Sequence, residues 1–90
     1  MKQDDLYDLA IRCGYTVTVF SDHPDFFSSW SINMKKNEKS YMIEHDGRDG
    51  WLIFYQESEP NKYREIDKKI SHTMKENEIL NQCEHWLLSA

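Results

Sequence analysis

The sequence predicts an α+β domain: an N-terminal helix, a four-stranded antiparallel β-meander, and one or two C-terminal helices packed on one sheet face. Three observations carry that prediction. Leu6, Leu9, Ala10 and Cys13 recur at helical spacing near the start. The middle of the chain breaks into short stretches of period-two alternation joined by polar connections. After Pro60 the apolar residues return to helical spacing. Helices segregated to the ends of an antiparallel strand run give an α+β layering. The 90 residues make a single domain, 1–90, with one modest core.

In chain order, Asp4 or Asp5 caps the first helix, where acids meet its positive end, and Gly14 stops it. Tyr15–Phe20 is β-branched and aromatic and predicts a strand with Tyr15, Val17 and Val19 on one face. The stretch SDHPDFFSS predicts a loop, punctuated by Pro24. Trp30, Ile32 and Met34 alternate with Ser31 and Asn33 in a second strand, and Lys35–Glu38 predicts a polar turn.

Lys39–Gln56 is the most telling segment. Tyr41, Ile43 and His45 alternate with Ser40, Met42 and Glu44, and Asp46-Gly47-Arg48-Asp49-Gly50 has the residues that reverse a chain. The returning strand is apolar on both faces, with Trp51, Ile53 and Tyr55 on one side and Leu52 and Phe54 on the other. Such a strand needs cover on both sides, from its own fold or from a partner. The expected core face joins Tyr15, Val17, Val19, Trp30, Ile32, Met34, Tyr41 and Ile43 to Trp51, Ile53 and Tyr55. The expected opposite face, with Thr16, Thr18, Phe20, Ser31, Asn33, Met42, Leu52 and Phe54, is mixed.

Glu57–Asn61 predicts a loop. Beyond it, Tyr63, Ile66, Ile70 and Met74 lie on one side of a helical wheel, while Ile79, Leu80, Cys83, Trp86 and Leu87 lie on another. Two helices, about residues 61–75 and 77–88, account for the displacement, with Asn77 at the junction; this is preferred to one continuous helix.

The composition excludes several function classes. With 30% charged and 39% hydrophobic residues, and three Trp, five Tyr and four Phe, the chain has the makings of a folded core. A net charge of −5 argues against direct nucleic-acid binding, which needs a basic surface to release counterions. No apolar run reaches the roughly 20 residues that span a bilayer. The acidic N-terminus lacks the apolar core of a signal peptide, so no membrane association and a cytoplasmic location are expected. Cys13 and Cys83 fit buried reduced thiols.

Catalytic and cofactor signatures are weak. Cys83-Glu84-His85 offers adjacent helical positions, which diverge by about 100° and rarely share a metal. Asp22-His23-Pro24-Asp25 has too few oxygen ligands for a cation site. Glu44-His45-Asp46 with Arg48 and Asp49 is the densest polar cluster; a nuclease would use His45 as base, but acidic neighbours repel a phosphodiester. There is no activated serine or glycine-rich phosphate cradle. No metal or cofactor is expected.

What remains points to binding. Phe26, Phe27 and Trp30 place aromatics around a loop, and Asp46, Asp49, Glu57 and Glu59 put acids around the hairpin, where they can steer a basic protein. In size, acidity and absent catalytic machinery, the whole chain resembles the small immunity and inhibitor proteins of bacteria and phages. These occlude the basic active site of a toxin or defence nuclease with acidic side chains. The resemblance implies a non-enzymatic binder whose partner contacts are Asp46, Asp49, Glu57 and Glu59, with Phe26, Phe27 and Trp51 as apolar anchors. Two other readings stand beside it: a structural or adaptor subunit that forms a homodimer through the sheet face or last helix, and a small hydrolase centred on His45.

Overall fold

The computed structural model describes residues 3–23, 25 and 29–90. The elements run α1 (Gln3–Arg12), β1 (Thr16–His23), β2 (Ser29–Lys36), β3 (Lys39–Asp46), β4 (Trp51–Glu59), β5 (Lys62–Ile70) and α2 (Glu76–Ser89). The strands form one antiparallel sheet of five in sequential order, so β1 and β5 are its edges. The α+β class and the meander match the sequence expectation, but the meander has a fifth strand and a single helix follows it.

The residues at each junction explain these boundaries. Helix α1 ends in a Schellman motif: the Tyr15 amide donates to the Ala10 carbonyl and the Gly14 amide to Ile11, with Gly14 at φ +88°. Between β2 and β3, Asn37 and Glu38 both have positive φ, as a two-residue type I′ hairpin turn requires. Between β4 and β5, Pro60 fixes the first turn position and Asn61 takes φ +65°, the type II pattern. Helix α2 starts after Lys75, whose amide donates to the Glu78 carboxylate at 3.1 Å; Asn77 lies inside the helix instead of capping it.

The expected helix over residues 61–75 is therefore mostly the strand β5, Lys62–Ile70, followed by an irregular link to α2, and its misleading spacing has a physical cause. A register shift opposite Phe54 and Tyr55 leaves Ile66 unpaired, a β-bulge between Glu65 and Asp67. The extra residue breaks the period-two alternation and spaces Tyr63, Ile66 and Ile70 as a helix would. The outer edge of β4, whose backbone would otherwise be unpaired, gains its ladder from this strand.

Both helices pack on the same face of the sheet. Leu6, Leu9 and Ala10 of α1 and Ile79, Cys83, Trp86 and Leu87 of α2 share one buried cluster with Trp30, Ile32, Met34, Tyr41, Ile43, Leu52 and Phe54. Phe54 sits between near-parallel rings, 5.6 Å from Tyr41 and 5.4 Å from Trp86. Two polar ties hold the layers: the Tyr15 hydroxyl donates to the Leu87 carbonyl at 2.9 Å, and the Trp86 indole donates to Asp67 at 2.9 Å. Cys13 and Cys83 are free and buried, and burial pushes the Cys83 thiol up to about 12. No described helix is long and apolar enough to cross a membrane.

The sheet faces differ from expectation at two strands. The Gly47–Gly50 turn pairs Asp46 with Trp51, which sets His45 against Leu52 and Ile43 against Phe54. Paired residues share a face, so Leu52 and Phe54 join Ile43 in the core while Trp51, Ile53 and Tyr55 face away. A shift between Val17 and Val19 likewise turns Phe20 toward Ile32 and leaves Val19 half exposed on the other side.

Candidate functional site

The face of the sheet turned away from both helices is the candidate site. Its middle is a row along β4: Trp51, Ile53, Tyr55 and Glu57, with alternate side chains on one side. Ile53 is only 7% exposed although it lies outside the helix-covered cluster. Trp51, Tyr55, Met42 and Tyr63 are half-buried, and Val19 and Ile70 are more than half exposed.

Carboxylates line this row on both sides. On β3, Asp46 lies opposite Trp51 and Glu44 opposite Ile53. On β5, Glu65 lies opposite Tyr55, while Glu57 itself pairs with Tyr63. Directly paired side chains have Cβ atoms about 5 Å apart, so each aromatic ring has a carboxylate within side-chain reach. Lys35 and Lys68 supply the positive charge on this face.

Side-chain contacts fix the geometry. The Tyr55 hydroxyl donates to Glu44 at 3.2 Å, and Asn33 donates to the Tyr63 hydroxyl at 3.0 Å. Burial, then the negative charge of Glu44 and the hydrogen bond to it, push the Tyr55 phenol up to about 12. The Lys68 ammonium lies 3.9 Å from the centre of the Trp51 ring, a cation–π contact.

The hairpin turn at one end is built by Asp46. Its carboxylate accepts from the Arg48 and Asp49 amides at 3.1 Å each, and its carbonyl accepts from Gly50 at 2.8 Å. Gly50 has φ +73°, and a Cβ there would come 2.1 Å from the His72 ring. Position 50 therefore requires glycine, and its carbonyl receives the Ser71 amide at the end of β5.

The structure divides the sequence-derived contact residues. Asp46, Asp49 and Trp51 gather at the hairpin end. Glu57 and Glu59 lie at the other end of β4, with Glu57 roughly 20 Å from Trp51 at about 3.3 Å per residue. The four acids therefore do not surround one turn. Glu57 belongs to the open face and accepts from the Asn61 amide, whereas Glu59 pairs with Lys62 at 3.4 Å. Phe26 and Phe27 lie outside the described residues. Sequence reasoning missed Glu44, Glu65, Tyr55 and Tyr63; the alternation of β3 carried a signal for Glu44, but nothing revealed Tyr63 and Glu65 until β5 was seen as a strand.

Two of the hollows among the described residues border this face and the core. One of about 250 Å³ at the end of β2 and β3 is lined by His23, Ser29, Glu44, His45 and Asp46. There the His45 ring packs on Trp30 at 5.5 Å, and the Ser29 hydroxyl accepts from the Gly47 amide. The other, about 470 Å³, runs between α2 and the sheet over Tyr41, Phe54, Gln56, Asp67 and Trp86. Among the described residues, no group of three His, Cys, Asp or Glu side chains is placed to hold a metal ion.

Comparison with known proteins adds no identity: no family model, curated protein or solved structure matches the chain.

Proposed function

We propose that this protein is a non-enzymatic binder that neutralises a basic protein, in the manner of a small bacterial or phage immunity or inhibitor protein. The reading rests on one observation. The open face of the sheet carries a row of aromatic side chains flanked by Glu44, Asp46, Glu57 and Glu65. Aromatic side chains supply contact area at low entropic cost, and the carboxylates steer a cationic surface into place. A toxin or nuclease that handles phosphates carries such a surface at its active site, and covering it blocks substrate.

The same charges weigh against a homodimer through this face. A two-fold contact sets the same patch against itself, bringing carboxylates toward carboxylates.

The test is co-purification from the native host, repeated with Glu57→Lys/Glu65→Lys, two changes at partly or fully exposed positions. The proposal expects one basic protein at equal stoichiometry, lost at high salt and lost with the double variant, whose enzymatic activity falls as the binder is added to one equivalent. A partner retained by the folded double variant, or a partner whose activity is unaffected at saturation, contradicts it.

A further inference from the structure

We infer that the open face recognises arginine rather than lysine, and that Lys68 occupies the arginine position in the free protein. The inference rests on the reading of this face as the docking surface for a basic partner and names the chemistry of the contact. The Trp51 ring already holds a cation, the Lys68 ammonium 3.9 Å from its centre. Asp46 lies directly across the ladder from that ring, with Oδ1 held by the turn amides and Oδ2 left for a ligand, and Glu44, whose Oε1 accepts from Tyr55, lies one diagonal step away. A flat π-surface with carboxylates beside it fits a guanidinium, which stacks through its plane and donates through its edge. An ammonium has no plane to stack and is more strongly hydrated, so it gains less from the same site.

Lys68 reaches Trp51 from the neighbouring strand, where its own ladder partner is Ile53. It is exposed and sits at the sheet's edge, so an incoming guanidinium displaces it without disturbing the core. In the free protein it covers the indole. Its displacement is a cost that every partner meets, and an arginine recovers more of it than a lysine does.

The experiment uses hexa-arginine and hexa-lysine peptides at matched low ionic strength, with binding followed through the tryptophan indole N–H resonances. Trp51 is on the open face, whereas Trp30 and Trp86 are buried in the core, so a peptide on this face shifts one indole signal of the three. The expected result is tighter binding of hexa-arginine, with the Trp51 signal shifted and those of Trp30 and Trp86 unchanged. Trp51→Leu removes the preference between the peptides. Lys68→Gln tightens hexa-arginine roughly two- to fivefold, about the worth of an exposed cation–π contact. Equal affinity for the two peptides, or a preference that survives Trp51→Leu, overturns the arginine inference while leaving a basic partner in place. Binding of neither peptide overturns the basic-partner reading as well.

Discussion

The two faces of the sheet are built from the same strands yet do different work. On the covered face, Leu52 and Phe54 are almost fully buried, Phe54 stacks between Tyr41 and Trp86, and both helices seal the layer. On the open face, Trp51 and Tyr55 come from the same strand, but their neighbours are Glu44, Glu65 and Lys68. One face consumes its apolar surface in folding. The other keeps part of its aromatic surface in solvent and surrounds it with charge. Strand β4 is apolar on both sides, and its two sets of side chains enter different surroundings: Leu52 and Phe54 the helix-covered core, Trp51 and Tyr55 the open face.

The largest effect expected from this contrast is on stability. Phe54→Ala should cost about 3–5 kcal/mol, as large-to-small changes of buried aromatics do, whereas Trp51→Ala, partly in solvent and outside the helix-covered core, should cost less, roughly 1–2 kcal/mol. Denaturant unfolding of the two variants checks this, and similar losses would merge the faces into one core. The total stability of a domain this size is about 5–13 kcal/mol, so Phe54→Ala brings it close to unfolding.

A smaller loss is expected at the turn that assigns the faces. Gly50→Ala forces a side chain into a left-handed conformation and against the His72 ring, a strain of about 1–3 kcal/mol. His72→Ala in the same chain should recover the part due to the clash and leave the conformational part. Thermal unfolding of the single and double variants separates the two.

Next comes the tie between α2 and β5. Trp86→Phe keeps the stack on Phe54 but removes the indole donor, for an expected loss of about 1 kcal/mol. That donor holds the Asp67 carboxyl below its ordinary value. A depressed carboxyl stabilises the fold above its unfolded pKa and loses that contribution as pH falls through the folded one. The variant should therefore lose less stability than the parent on acidification below about pH 4.

A further effect lies on the open face and is confined to alkaline pH. Tyr55 is raised from 10.0 to about 12, so its contribution is complete below pH 10 and disappears as pH climbs toward 12. Tyr55→Phe should flatten that alkaline decline, and of the late-titrating phenols in the tyrosinate absorbance of the parent, Tyr55 and the buried Tyr15, the substitution should remove one. An alkaline limb unchanged by the substitution would detach Tyr55 from Glu44.

Much of this contrast was legible in the residues. The period-two alternation of β2 and β3 placed Trp30, Ile32, Met34, Tyr41 and Ile43 correctly in the core. The two-sided apolarity of β4 announced that both of its faces had work to do. The direction of each face was not legible, because it depends on turn length: the turn after Asp46 fixes the partners of Leu52 and Phe54, and one residue more or less reverses them. β5 stayed hidden because the Ile66 bulge counterfeits helical spacing, and with it went Tyr63 and Glu65. The acids at Glu57 and Glu59 looked close to the hairpin in sequence, yet an extended strand carries them to its other end.

The most direct test of the account puts both faces into one experiment: melting temperature and partner capture measured side by side for Trp51→Ala and Phe54→Ala. Trp51→Ala should lower the melting temperature by much less than Phe54→Ala, at about 4–8 °C for each kcal/mol lost in a domain of this size, and should no longer capture the basic partner. Full capture by folded Trp51→Ala, or a melting loss as large as that of Phe54→Ala, would contradict the division of labour between the two faces.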